Sequence, residues 1–214
     1  MGTDPRGILI CKEFPTAVHA VGFFMPFSGR NGQMTKKAVI MDEKQINRAI
    51  ARISYEIIER NKGTDDLVIA GIMSRGVHIA SRIAAKLGEL EGYSEKVGIL
   101  DITAYRDDEK HSADSDRTDI PFAVRDKRVI LVDDVMFTGR SVRAAIDAIM
   151  SRGRPKNIQL AVLVDRGHRE LPMRPDYVGK NVPTSRDEQV KVMLKEQDGC
   201  DMAVILGDDR TEDQ

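Results

Sequence analysis

Two adjacent carboxylates, Asp133 and Asp134, stand at the end of an unbroken apolar run, Val129-Ile-Leu-Val132. Beyond them come Val135-Met-Phe137, then Thr138-Gly139-Arg140-Ser141, and an amphipathic helix begins at about Ser141. An apolar run of this length bounded by a turn predicts a strand buried on both faces. The turn leads into a helix N-terminus, where unpaired backbone N–H groups and the helix dipole favour an anion. An acidic pair beside such a cradle suits a ligand carrying both hydroxyls and a phosphate, such as a ribose 5-phosphate. The loop is not a Walker A motif: no glycine lies five residues before Gly139, and Arg140 replaces the lysine. A GxGxxG fingerprint is absent as well. A plainer role, in which the two acids only cap the strand and start the turn, would use the same residues.

Two further loops follow apolar runs and could converge on the same place. Leu67-Val-Ile-Ala-Gly-Ile72 leads into Met73-Ser-Arg-Gly76, which offers a hydroxyl, a guanidinium and a glycine that lets backbone approach an anion. Ile158 to Val164 leads into Asp165-Arg-Gly-His-Arg-Glu-Leu-Pro172. An ordinary strand-to-helix turn would explain residues 73–76 equally well. In a parallel sheet, however, ligands bind beyond the carboxyl ends of the strands, which is where all three loops begin.

The elements that would hold these loops alternate. Asp42 can cap a helix carrying Ile46, Ala49, Ile50, Ile53, Ile57 and Ile58 on one face, with Gly63 as its stop. A second helix carries Ile79, Ile83, Ala84 and Leu87, and Val97–Ala104 reads as a strand. Gly153 and Pro155 terminate the helix that begins at Ser141. Gln189–Leu194 and Met202–Leu206 complete the strands, and the whole predicts an α/β domain with a mostly parallel sheet. Residues 106–121 are almost wholly polar, longer than an ordinary connection, and read as a lid.

Composition excludes several classes. With 33 basic and 34 acidic residues the net charge is −1, so any nucleic-acid contact must rest on a local basic face. Cys11 and Cys200 show neither metal-ligand spacing nor a disulfide framework, and the four histidines are scattered. No apolar run is long enough to span a membrane, and a cytoplasmic protein is expected. Residues 1–33, with the cluster Phe23-Phe-Met-Pro-Phe27, lack both a helical or strand period and the parts of a signal peptide. They are expected to form a poorly ordered extension or leader, or a partner-binding arm using the phenylalanines, ahead of a domain spanning 34–214.

From about Val39 to Leu206 the chain resembles the pyrimidine-operon attenuator/uracil phosphoribosyltransferase (PyrR) family of the type I phosphoribosyltransferases. The likeness is carried by Gly71-Ile-Met-Ser-Arg-Gly76, Asp101-Ile-Thr-Ala-Tyr-Arg-Asp-Asp108, residues 129–141 and Gly153-Arg-Pro155. Its longest stretches are Ile158–Pro172 and Asp176-Tyr-Val-Gly-Lys-Asn-Val-Pro-Thr-Ser185. The 129–141 motif is shared across the superfamily, whereas 158–185 is specific to this family.

The resemblance implies the type I fold, a mostly parallel sheet flanked by helices with a flexible hood loop. It implies the reaction of uracil with phosphoribosyl pyrophosphate (PRPP) to give UMP and pyrophosphate, with Mg²⁺ carried on PRPP and no side-chain metal site. Asp133 and Asp134 would be catalytic and bind the ribose hydroxyls. Backbone N–H groups of Val135, Met136, Phe137, Thr138, Gly139, Arg140 and Ser141 would hold the 5-phosphate. Ser74, Arg75 and Gly76 would take the pyrophosphate, and Arg106 with the 107–120 loop would close over PRPP. The base would meet Asp165, Arg166 and Val178, with Tyr177 stacking on it and Val190 closing the far side. Phe137 stands where purine-type relatives commonly carry an acid, which argues for a pyrimidine.

The family also binds a stem-loop of pyrimidine-operon leader mRNA, assisted by uridine nucleotides, and promotes transcription termination. Arg169, Arg174 and Lys180 match its basic positions. Against that, Ala51 and Tyr55 stand where attenuating members carry a hydroxyl residue and a histidine. A homo-oligomer, dimer or tetramer, is implied too. Two alternatives stay open: a regulator whose catalysis is secondary, and a phosphoribosyltransferase for another base such as hypoxanthine.

Overall fold

The computed structural model describes residues 34–105 and 117–208. Arg106, most of the lid and the extension 1–33 lie outside the described residues. Asp42 opens α1 (Glu43–Asn61) through a capping box: its carboxylate accepts the Gln45 N–H at 2.7 Å, and Gln45 Oε1 accepts the Asp42 N–H at 2.9 Å. The apolar stripe is buried as its spacing predicts, with Ile46, Ile53 and Ile57 fully covered. The helix ends at Asn61, with Lys62 (φ 56°) as its cap and Gly63 (φ 108°) directly after it.

Five strands form one parallel sheet in the order β3-β2-β4-β5-β6: β2 (Leu67–Ile72), β3 (Gly98–Leu100), β4 (Arg128–Met136), β5 (Asn157–Asp165) and β6 (Tyr177–Asn181). Helices α2 (Arg75–Glu91) and α3 (Arg140–Met150) connect them on opposite faces. Along β4 the side chains alternate: Ile130 and Val132 join the core under α1 and α2, while Val129 and Leu131 join the core under α3. That two-sided burial is why the run before the acids is apolar without a break. Chain order reverses between β2 and β4, so the crevice at their carboxyl ends is the topological switch point of the sheet.

Several elements depart from the sequence expectation. Gln189–Leu194 and Met202–Leu206 do not join the parallel sheet. They are β7 (Gln189–Met193) and β8 (Met202–Asp208) of a separate antiparallel hood, ordered β1-β8-β7, in which β1 (Met34–Met41) had no predicted counterpart. A short turn of helix, α4 (Lys195–Asp198), joins β7 to β8. The Val97–Ala104 strand shortens to β3, followed by a 3-10 turn at Thr103–Tyr105. β6 is too short and polar to show an apolar run.

Candidate active site

The loops after β2 and β4 are locked together by close backbone packing. A Cβ built on Gly76 would lie 2.5 Å from the Val132 carbonyl oxygen and 3.2 Å from Asp133 Cα. Only glycine permits that approach, so the 73–76 loop rests directly on the strand that presents the acids. The Met73–Ser74 peptide is cis, and the Met73 N–H bonds to the Leu100 carbonyl at 3.0 Å.

Asp133 is buried, 8 % exposed, and Asp134 is half-buried. Asp133 Oδ1 accepts the Asp134 N–H and Asp134 Oδ1 accepts the Val135 N–H, both at 2.9 Å. Burial raises the proton affinity of Asp133 well above the ordinary carboxylate, and the Asp134 charge adds to it. Burial raises Asp134 too, with Arg75 acting in opposition. Two carboxylates held out of water with raised proton affinity are poised for hydroxyl donors or a cation.

The linkage of this shift has a definite sign. Between the ordinary value of 3.8 and its raised value, folded Asp133 holds more proton than the unfolded chain. Stability is therefore lost as pH rises through that window. Asp133→Asn should raise Tm at pH 8, about 2–4 °C for each kcal/mol recovered, and the gain should shrink as pH falls toward 3.8. Thermal melts across pH check it; a gain independent of pH would refute it.

The phosphate cradle is shorter than expected. Val135 and Met136 belong to β4, paired with Val164 and Asp165, and the Val135 N–H is already given to Asp134. That leaves residues 137–141 as the candidate anion loop. Gly139 (φ 97°) precedes α3 with no side-chain cap, so the first-turn N–H groups face the loop. The Thr138 carbonyl accepts N–H groups from Glu170 and Leu171 at 3.0 and 3.1 Å, so the loop after β5 props the cradle. Arg140 Nε donates to Glu170 at 2.9 Å. Of the 73–76 loop, Ser74 is exposed, Gly76 is buried, and the Arg75 guanidinium forks onto Asp198 of α4 at 2.9 and 3.3 Å.

Asp165 and Arg166 build a platform beside the acids. Asp165 Oδ1 accepts the Gly167 N–H at 3.0 Å, and Oδ2 accepts Arg169 at 2.5 Å. Arg166, 6 % exposed, lies with its guanidinium carbon 4.0 Å from the Phe137 ring centroid and donates to Thr184 Oγ1 and the Ser185 carbonyl, both at 3.1 Å. Burial lowers its proton affinity.

Tyr177 is not part of this group. It opens β6 at the amino end of the sheet, is 2 % exposed, and its hydroxyl bonds to Gln159 while accepting from Asn61. It is a core aromatic and does not stand where it could stack on a base. Val178 lies three residues below the Asp165–Asn181 pair that ends β6, and its carbonyl accepts Arg52 at 3.1 Å, so it too is away from the site. Val190 is in the hood, paired with Ile205.

The basic positions also separate. Arg169 is spent inside its own loop on Asp165 and on the carbonyls of Phe137, Gly167 and Met173. It is a brace for the platform and is ill-suited to gripping a nucleic acid. His168 Nε2 meets the Thr184 carbonyl at 2.6 Å. Lys180, an exposed residue, donates to the Ile40 carbonyl of the hood at 2.6 Å, and Arg174 is exposed. Tyr55 is 56 % exposed on α1.

Two residues escaped the sequence reading. Asp198 holds Arg75 across 123 positions of chain, and nothing local announces it. Asp101, 4 % exposed, accepts Thr103 and Arg117 and so ties together the two stems that flank residues 106–116. The Asp-x-Thr spacing at 101–103 is a recognisable side-chain turn signal.

A parallel sheet that carries an acid pair at its switch point, between the loops 73–76 and 137–141, fits the phosphoribosyl transferase class. The family model for the phosphoribosyl transferase domain matches residues 39–196. Bifunctional protein PyrR of Listeria welshimeri is 55 % identical over 179 residues, 81 % of this chain and 98 % of that protein. Bifunctional protein PyrR of Acetivibrio thermocellus is 59 % identical over 175 residues, 80 % of this chain and 95 % of that one. The chain belongs to the phosphoribosyl transferase family and, within it, to the bifunctional PyrR proteins. In fold it is similar to the hypoxanthine phosphoribosyltransferase of Trypanosoma cruzi, with TM-score 0.62 and 17 % identity over 81 % of this chain and 98 % of that one. A hypoxanthine-guanine phosphoribosyltransferase of Bacillus anthracis gives 0.61 and 17 % over 79 % and 98 %. At that identity the two establish the fold and carry nothing about the base.

Proposed function

We propose that this protein transfers a phosphoribosyl group from PRPP to uracil, forming UMP and pyrophosphate, in a domain spanning 34–214. The observation that carries the reading is the Asp133–Asp134 pair on β4, Asp133 buried and Asp134 half-buried, packed through Gly76 against the 73–76 loop. In the reaction the C1–pyrophosphate bond breaks, the uracil N1–C1 bond forms, and the N1 proton is released. Asp133 and Asp134 bind the ribose hydroxyls, and their charge favours the cationic sugar that develops as the leaving group departs. Residues 137–141 hold the 5-phosphate, Ser74, Arg75 and Gly76 hold the pyrophosphate, and Arg106 with its loop excludes water. Magnesium carried on PRPP, beside the Asp133 and Asp134 carboxylates, would supply charge neutralisation to the pyrophosphate oxygens. Asp165 and Arg166 present backbone to the base beside Phe137, whose ring is covered by Arg166 and offers no acid to a purine.

Uridine-nucleotide-dependent binding of pyrimidine-operon leader mRNA, with attenuation by transcription termination, is the second activity we assign. It rests on Arg174 and Lys180, with Arg169 bracing the loop that precedes Arg174, in a homo-oligomeric dimer or tetramer. Among the described residues no helix is long and apolar enough to cross a membrane, and we place the protein in the cytoplasm.

Incubation with PRPP, magnesium and an equimolar mixture of uracil and hypoxanthine tests the enzyme. UMP as the dominant product is expected; inosine monophosphate in its place, or no nucleotide at micromolar protein, contradicts it. A gel shift with the operon leader tests the regulator. UMP should tighten binding and Arg174→Ala should weaken it, whereas a shift indifferent to both would remove the RNA role.

A further inference from the structure

Arg75 and Arg82 lie seven residues apart on α2, two turns, so both side chains leave one face of the helix. That face meets the α4 turn of the hood. Arg82 gives two hydrogen bonds to Glu196 (2.8 and 2.6 Å) and two to Asp201 (both 2.8 Å). Arg75 gives two to Asp198, at 2.9 and 3.3 Å. The same acids fasten the hood's own backbone: Asp198 accepts the Leu194 N–H at 2.9 Å, and Asp201 accepts the Lys195 N–H at 2.8 Å.

The hood is thus clamped to α2 twice, but the two clamps are not equivalent. Arg82 lies two turns inside the helix and its partner carboxylate is 2 % exposed. Arg75 stands at the first position of α2, in the loop assigned above to pyrophosphate, and both it and Asp198 remain about one-fifth to one-quarter exposed. A guanidinium forked onto one carboxylate cannot present the same donors to a second anion. If Arg75 turns away, Asp198 keeps the Leu194 N–H and has access to water, so the exchange strands no buried charge.

We propose that Asp198 is an internal competitor of the substrate: the pyrophosphate group of PRPP takes Arg75 from it. Asp198 thereby sets PRPP affinity as a positioning residue acting through Arg75, and substrate binding removes one of the two clamps on the hood. This proposal rests on the reading of residues 74–76 as the pyrophosphate loop.

Calorimetric titration of magnesium pyrophosphate and of PRPP into wild-type protein, Asp198→Asn, Arg75→Ala and the double variant tests it. Asparagine keeps an oxygen for the Leu194 N–H but no charge for Arg75. Asp198→Asn should bind both ligands about fivefold more tightly, the scale of a partly exposed charge pair, with the KM for PRPP falling and kcat not rising. In the Arg75→Ala background the same substitution should change affinity less than about twofold, because the pairwise term is gone. Equal tightening in both backgrounds would mean simple repulsion of the ligand by Asp198 and overturn the exchange. Unchanged or weaker binding by Asp198→Asn overturns it as well, and leaves the enzyme assignment standing. A wild-type protein that binds neither ligand removes both.

Discussion

Asp134→Asn should lower turnover of PRPP and uracil by at least about 100-fold, the scale of losing one charge aimed at a transition state, while leaving the melting temperature equal or higher. The substitution is nearly isosteric, and the asparagine oxygen still accepts the Val135 N–H that Asp134 accepts at 2.9 Å. What it removes, in the proposed site, is a negative charge beside the carbon from which pyrophosphate would depart. Because burial raises the proton affinity of Asp134, its ionised form is costly to fold around, and neutralising it removes that cost. Steady-state rates together with a thermal melt check this. A loss of rate accompanied by a large loss of Tm would make the residue structural.

Gly76→Ala should damage both fold and binding. A methyl group there meets the Val132 carbonyl oxygen at 2.5 Å, with Asp133 Cα at 3.2 Å and Val132 C at 3.3 Å. All three are backbone atoms of the central strand, so no side chain can rotate away. Relief requires the 73–76 loop to lift off β4, at a cost of about 1–3 kcal/mol in stability. The lift separates the pyrophosphate loop from the acid pair, and a misplacement of ~1 Å costs about 100-fold in rate. The expected result is a lower Tm with a raised KM for PRPP and a reduced kcat. Unchanged kinetics in a folded variant would mean that this close approach does not align the site.

What could be read in advance follows from where the information lies. The strands β2, β4 and β5 announce themselves because each is buried on both faces, which demands apolar residues without interruption. The acid pair and the glycine-bearing loop after it are legible for the same reason: chemistry and geometry are consecutive in the chain. β7 and β8 looked like further core strands, since a hood strand with one covered face carries valine and isoleucine as a sheet strand does. Nothing local says which sheet such a strand joins. β6, Tyr177-Val-Gly-Lys-Asn181, has too few apolar residues to register.

At the site the structure departs from the sequence expectation for two reasons. The resemblance implies Tyr177 stacking on the base, but the chain runs from the carboxyl end of β5 back to the amino end of β6 before reaching it. Its hydroxyl serves Gln159 and Asn61 in the core. Arg169 looked like a surface cation and is instead consumed by its own loop. Arg166, equally basic in sequence, is buried over Phe137. Charge is visible in a sequence, but the partner that absorbs it is not, and the partner decides what the residue does.

Amide hydrogen exchange with and without magnesium PRPP tests the central claim most directly, because it reports the anion loops by residue and needs no turnover. One ligand spanning the switch point should slow exchange at residues 73–76 and 137–141 together, with the same concentration dependence, and Asp134→Asn should weaken both effects in parallel. Protection of one loop without the other, or none at saturating PRPP, would contradict a single phosphoribosyl site built on the end of β4.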